Sequence, residues 1–210
     1  MDIIESLKWR YATKKFDNDF IINEEKIARI NEAFNLTPTS YGLQPIKLLV
    51  VKNKDLQLKM QSAAFNQVQV STASHILVIC IENNITKAFI DNYFTNMIKA
   101  RPINTESIKA YQKTLSKRFE NKSQEELNLW ATKQAYIALG NLLTVCAVEE
   151  IDTCPMEGFI PNTIDEILEL DKKHLKSVLL LPIGKRDISD IGATEAKVRR
   201  PISDIIESIF

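Results

Sequence analysis

Glycine is scarce in this 210-residue chain, and the five present (Gly42, Gly140, Gly158, Gly184 and Gly192) lie too far apart for a G-x-G-x-x-G turn or a Walker phosphate loop. A Rossmann dehydrogenase or a P-loop nucleotide hydrolase is therefore set aside, and any nucleotide must be held some other way. Histidine is scarcer still. His75 sits in an apolar run and His174 in a charged one, and neither has a metal-ligand partner at useful spacing, so no zinc site is expected. The same shortage argues against Ser-His-Asp and Cys-His hydrolases. A strand-end histidine with a satisfied hydrogen bond is the better reading of His75, and a solvated loop residue that of His174.

The three cysteines, Cys80, Cys146 and Cys154, are odd in number and far apart, which points to a reduced, cytoplasmic protein without a disulfide framework. Excess charge is also lacking: 27 Lys+Arg balance 27 Asp+Glu, unlike a nucleic-acid binder working through bulk charge. No apolar run reaches the roughly 20 residues that span a bilayer, and no secretory signal opens the chain. The hydrophobic fraction of 45% and charged fraction of 26% are those of an ordinary globular domain, here a single one over residues 1–210.

Helices are expected over residues 3–10, capped by Asp2, and 24–36, capped by Asn23. Short β-branched runs at 46–51, 75–81 and 176–183 read as buried strands. Residues 54–64 look helical, as do the more polar 83–99 and 107–118. Ser123-Gln124-Glu125-Glu126 is a capping box opening a long, centrally buried helix to about residue 148, and Thr163-Ile164-Asp165-Glu166 reads as a second box. Residues 202–209 suit either a short helix or an extended arm. Strands separated by helices, with helix in excess, indicate a layered α/β or α+β domain.

Four segments border these elements with unusual chemistry. Arg10-Tyr11-Ala12-Thr13-Lys14 carries two cations past a helix end, able to clamp a phosphate or merely to complement the helix dipole. Thr39-Ser40-Tyr41-Gly42-Leu43-Gln44-Pro45 places hydroxyls and an amide at a strand mouth; an ordinary turn would look the same. Cys154-Pro155-Met156-Glu157-Gly158-Phe159 brackets exposed backbone amides, and Lys197-Val198-Arg199-Arg200-Pro201 is a compact basic group that is either an anion site or a solvated tail.

Taken together and in order, Arg10-x-x-x-Lys14, the turn ending Gln44-Pro45, Pro155-x-Glu157-Gly158-Phe159, Leu181-Pro182-x-Gly184 and Lys197-x-Arg199 resemble the flavin-dependent nitroreductase family. Met1-Asp2-Ile3-Ile4 and Thr13-Lys14-Lys15-Phe16-Asp17 are most similar to its oxygen-insensitive nitroreductase and dihydropteridine reductase branch. The resemblance covers essentially the whole chain. It implies an α+β sandwich with a central, mostly antiparallel sheet flanked by helices, in an intertwined homodimer that shares two FMN sites.

Carried over by position, Arg10, Lys14, Lys197 and Arg199 would surround the FMN phosphate, with Tyr11 and Ala12 contributing mainly backbone. Pro38, Thr39, Ser40 and Gly42 would reach the flavin ring from the partner chain, and Asn66 and Gln69 would face its pyrimidine side or the ribityl chain. Met156, Glu157 and Gly158 would supply backbone on the opposite ring face. A helical excursion at about 83–121 would cover the pocket, with Tyr41, Tyr111 and Phe119 as aromatic contacts for substrate.

Against the family pattern, Ile46 stands where tryptophan is common and Gly42 where asparagine is. Tyr11 and Ala12 stand for histidine and serine, and Gln69 for the lysine of some relatives. The implied activity is hydride transfer from NADH or NADPH to nitroaromatic, quinone or pteridine-like acceptors, alternating in one pocket (ping-pong), with no catalytic side chain required. The alternatives are a flavin reductase with a non-nitro acceptor and a flavin-binding sensor or interaction module without turnover.

Overall fold

The three apolar runs supply three of the sheet's four strands in the computed structural model, which describes residues 2–102 and 105–210. Met1 and two residues of the 83–121 excursion, Ile103 and Asn104, lie outside the described residues. The chain opens with helices α1 (Ile3–Trp9) and α2 (Glu24–Asn35), whose N-caps Asp2 and Asn23 accept from Ile4 and Lys26 N–H. Strand β1 (Ile46–Val51), α3 (Lys54–Ala63), the single turn α4 (Gln69–Thr72) and β2 (His75–Glu82) follow. Then come α5 (Lys87–Ala100), α6 (Thr105–Glu120), α7 (Gln124–Val148), β3 (Asp152–Thr153), α8 (Pro161–Ile167) and β4 (Leu175–Gly184).

The sheet runs β1-β2-β4-β3 and every pairing is antiparallel, with Val51 opposite Ile76 and His75 opposite Ile183. β2 is buried along nearly its whole length because both faces of the sheet are covered. Leu77, Ile79 and Ile81 enter one core with residues of α2, α5, α6 and α7. Ile76, Val78 and Cys80 enter the other, with residues of α3 and α8. This is the helix-flanked α+β sandwich expected from sequence.

The capping box at Ser123 and Glu126 forms as expected and starts α7, whose Ala131, Ala135, Ala138 and Leu142 are buried. The second box does not form. α8 begins three residues earlier than a Thr163 cap would start it, at Pro161, whose missing N–H and fixed φ suit a first helical position, so Thr163 lies inside the helix. Asp165 turns instead to Ser177, accepting from its N–H (2.9 Å) and hydroxyl (2.5 Å). Of the two forms open to residues 202–209, the chain takes mostly the extended one: a single 3-10 turn, Ile202–Asp204, in an exposed arm.

Candidate active site

The last strand positions both halves of the candidate site. After α1 the chain runs along β3, where Ala12 bridges Thr153 and Thr13 N–H donates to the Thr153 carbonyl (3.0 Å). It then meets the segment leaving β4: Phe16 bridges Arg186, Asp17 N–H donates to Lys185 O (2.8 Å) and Asp187 N–H to Lys15 O (3.0 Å). Asp190 fixes this junction. One carboxylate oxygen accepts from Lys14 and Lys15 N–H (2.6 and 2.8 Å), the other from Gly192 N–H (3.0 Å). The Arg186 guanidinium lies 4.3 Å from the Trp9 ring centroid and 4.7 Å from that of Tyr11, while its Nε and Nη2 reach buried Asp152 at 2.8 and 2.5 Å.

This stapling brings the cations of the two chain ends together. A cleft of about 480 Å³ is lined by Tyr11, Ala12, Lys14, Asp190, Gly192 and Lys197, among others. Lys197 Nζ donates to the Lys8 carbonyl across its rim. Burial holds the Arg10 guanidinium below its ordinary pKa, and Arg199 adds repulsion. The Lys197 ammonium is lowered by burial, then by Arg10, Arg199 and Arg186. Among the described residues, none of Arg10, Lys14, Lys197 and Arg199 forms an ion pair. Arg10 Nε is buried without a hydrogen-bond partner.

Lys14 Nζ points instead to the thiol of Cys154 (3.8 Å), which also receives the Gln69 amide (3.9 Å). Burial raises the Cys154 thiol pKa, and Lys14 opposes that rise. Asn66 lies three residues before Gln69, in a loop where Phe65 and Asn66 both take left-handed backbone, φ 55° and 58°. Gln67 Nε2 ties the loop to the Gly158 carbonyl (2.8 Å). Met156 is less available than its neighbours: its N–H donates to Leu180 O (2.8 Å) and its carbonyl accepts from Leu180 N–H (3.1 Å). Among residues 156–158, the N–H groups without a partner in the chain are those of Glu157 and Gly158. The Glu157 carboxylate beside the Tyr136 phenol, with burial adding to it, pushes the phenol's pKa up to about 12.

The turn at 38–42 lies in a different cluster. Tyr41 and Gly42 take φ 60° and 71°, Ser40 N–H donates to Gln134 Oε1 (2.8 Å) and Gln44 N–H to Thr39 Oγ1 (3.0 Å). Tyr41 meets Phe119 edge-on at 5.9 Å, and the Arg118 guanidinium lies 5.7 Å from the Tyr41 centroid. Among the described residues, no hydrogen bond, ion pair or ring contact joins residues 38–42 to the cations.

The nitroreductase family model matches residues 7–185. A Staphylococcus saprophyticus protein named "Putative NAD(P)H nitroreductase" is 32% identical over 216 residues, covering 98% of this chain and 95% of its own. The chain belongs to the nitroreductase family. Among solved structures, a nitroreductase-family protein of Exiguobacterium sibiricum described in complex with FMN superimposes at TM-score 0.85 with 25% identity, over 100% of this chain and 98% of the other. The fold of a Bacillus subtilis protein described as a nitroreductase matches at TM-score 0.88 with 20% identity, over 99% of each chain.

Within this nitroreductase-family site, one sequence expectation changes. Phe119 is only 3% exposed, wedged between Tyr41 and Trp130, so it buttresses Tyr41 from the core and offers no face to a substrate. Tyr111 is 44% exposed and packs edge-on against Phe94, and Tyr41 is partly exposed. Tyr11 and Ala12 face their neighbours through the Arg186 stack and the Thr153 bridge. Sequence reasoning missed Phe65, 62% exposed beside Asn66, and missed Asp190, Arg186 and Gln134 altogether. An aromatic next to a selected asparagine was the available signal for Phe65. The others declare themselves only through contacts distant in sequence.

Among the described residues, no group of His, Cys, Asp and Glu has the arrangement of a metal site, and no helix is long and apolar enough to cross a membrane. His75 accepts or donates a 2.9 Å hydrogen bond with Ser74 Oγ in a buried setting, as its sequence context suggested. His174 takes left-handed backbone at an exposed turn.

Proposed function

We propose that this protein is an FMN-dependent NAD(P)H oxidoreductase of the nitroreductase type. The observation that carries the reading is the gathering of Arg10, Lys14, Lys197 and Arg199 without one carboxylate partner, with a buried guanidinium nitrogen left unbonded. Lys14, Lys197 and Arg199 are exposed and Arg10 is half-buried, so the cost of leaving the group unpaired falls on the buried Arg10 Nε, a donor that an anion would complete. A flavin phosphate of up to two negative charges supplies that anion without a glycine loop. The residues present therefore fit FMN, and the Exiguobacterium relative is described with it.

In this reading Arg10 offers its planar fork, while Lys14, Lys197 and Arg199 act as further positive partners for the phosphate. Asn66 and Gln69 address the pyrimidine side or the ribityl chain, and the free N–H groups of Glu157 and Gly158 address the ring. FMN supplies the redox chemistry, passing a hydride equivalent from donor to acceptor. The chain's own work is to bind, orient and shield. NADH or NADPH and an acceptor of nitroaromatic, quinone or pteridine type occupy the same pocket in turn, which gives ping-pong kinetics.

Residues 38–42 would complete the site from a second copy of the chain. Support comes from their separation from the cations and from apolar residues left exposed: Ile3 and Ile4 on α1, Tyr136 and Ile137 on α7, and Ile206 and Ile209 in the terminal arm. Three free, buried cysteines accord with a reducing cytoplasm.

A flavin spectrum followed by anaerobic titration with each reduced nicotinamide tests this. Yellow protein that bleaches with a donor and recovers colour with acceptor is expected. Colourless protein that takes up no FMN overturns the reading, and flavin left unbleached by both donors replaces it with a binding module.

A further inference from the structure

Gln67 is neither one of the gathered cations nor one of the expected ring contacts, yet it joins the two groups. It stands in the short loop between α3 and α4, just after Phe65 and Asn66 with their left-handed backbone. Its side chain is half-buried and engaged at both ends of the amide. Nε2 donates to Ala64 O at the end of α3 (3.0 Å) and to Gly158 O (2.8 Å). Oε1 accepts from Gln69 Nε2 (3.0 Å).

These partners fix the orientation of both amides. Two carbonyl oxygens can be met only by an NH2 group, so Gln67 turns its own oxygen to Gln69. Gln69 then has to present its NH2, which also points to Cys154 Sγ (3.9 Å). Lys14 Nζ reaches the same sulfur (3.8 Å). A line of contacts therefore runs from Lys14 through Cys154, Gln69 and Gln67 to Gly158, from the cations to the turn whose N–H groups are free.

Gln67 pins that turn at its one loose point. Phe159 N–H folds back to Glu157 O (2.9 Å), and Ile160 N–H reaches Ala63 O (2.9 Å). Gly158 O belongs to the same peptide as Phe159 N–H, and Gln67 is its partner among the described residues. That peptide plane is thus held on both edges, which fixes the backbone just behind the Glu157 and Gly158 N–H groups. The approach is close: a Cβ on Gly158 would lie 3.2 Å from Gln67 Nε2. Glu157 and Gly158 are exposed, so water can satisfy the Gly158 carbonyl if Gln67 is lost, but water imposes no fixed direction.

We propose that Gln67 is a positioning residue of the cofactor pocket, holding the Glu157 and Gly158 N–H groups in the direction of the flavin ring. This assignment rests on the oxidoreductase reading above and gives the aim of those N–H groups to a side chain that itself touches no cofactor. N–H dipoles fixed beside a ring that gains electrons favour its reduced form, and they need no reorganisation at the moment of transfer.

The test compares FMN-loaded wild type with Gln67→Met, which keeps an unbranched stem and removes donor and acceptor together. Spectroelectrochemistry should show a lower flavin potential. The expected drop is a tenfold loss in preference for reduced over oxidised FMN, or about 30 mV for a two-electron couple. The Kd for oxidised FMN should rise only about threefold, because the cations offered to the phosphate are untouched. In FMN-free protein the Phe159 amide should exchange its hydrogen about tenfold faster. Gln67→Glu keeps the shape and the acceptor for Gln69 but sets a carboxylate against two carbonyl oxygens, so its potential should fall at least as far.

A purely structural tie would lower the urea midpoint and weaken the binding of both redox forms alike, leaving the potential where it was. An unchanged potential in either FMN-loaded variant, or an unchanged Phe159 exchange rate, overturns the positioning role and leaves the oxidoreductase reading standing. Wild-type protein that takes up no FMN overturns both.

Discussion

Replacing Arg10 by methionine should move stability and cofactor affinity in opposite directions. In the FMN-free protein the guanidinium is half-buried, its Nε has no partner, and Arg199 and Lys197 stand close enough to repel it. An unsatisfied buried donor costs about 1–3 kcal/mol. Methionine removes that cost and keeps an apolar stem of similar length, so a net gain of about 1 kcal/mol is expected once the lost contacts are counted. With a urea m-value of about 2.5 kcal/mol/M, the unfolding midpoint of FMN-stripped protein should rise by roughly 0.4 M.

Binding should respond the other way. One charge-assisted contact to phosphate is worth about 1.5–3 kcal/mol, which is about 10- to 150-fold in the FMN Kd. Flavin fluorescence titration reads the second quantity and urea unfolding, at matched protein concentration, reads the first. Arg10→Lys should fall between the two because it keeps the charge and loses the fork. A lowered midpoint with an FMN Kd within threefold of wild type would show that Arg10 is a structural cation and would refute the reasoning.

Asp190→Asn should weaken FMN binding about tenfold through Lys14, because an amide cannot accept from Lys14, Lys15 and Gly192 N–H together; combined with Lys14→Met the losses should be less than additive, and strict additivity on FMN affinity contradicts the positioning role. Gln69→Lys adds a cation beside the ring-facing group and should raise the flavin potential by on the order of 20–40 mV, somewhat opposed by repulsion from Lys14; spectroelectrochemistry giving a potential at or below wild type rejects it. Burial, followed by Lys52, lowers the His75 pKa from 6.5. The unfolded chain therefore takes up this proton first, so stability is held above about pH 6.5 and declines as pH falls from there toward the lower folded value. His75→Gln should flatten that slope in urea midpoints measured from pH 7 to 5, and an unchanged slope excludes His75 as its source.

What could be read from the sequence and what could not divides along the reach of the interactions involved. β1 occupies the residues its β-branched run marked, and the Ser123 box starts α7, because pleat, burial and capping are decided within a few neighbours. The Thr163 box obeyed the same local pattern and failed, because Pro161 began the helix first and left Thr163 inside it rather than at its cap. Phe119 and Tyr111 share one helix with similar spacing, and only the packing of Trp130 and Tyr41 decides that one is core and the other exposed.

The cations were visible as residue types at the two ends of the chain. Their meeting was not, because it depends on a two-residue strand with no hydrophobic signature and on an aspartate 176 positions from the lysine it holds. Asp190, Asp152 and Arg186 are ordinary surface types in the sequence and become structural only where β3 and β4 bring the termini side by side. The two acids stay buried by serving N–H groups and a stacked guanidinium, and neither neutralises Arg10, Lys14, Lys197 or Arg199. That division of labour leaves positive charge free to meet a ligand. It also explains why Arg10→Met and Asp190→Asn should differ in sign on stability although both weaken the same cofactor.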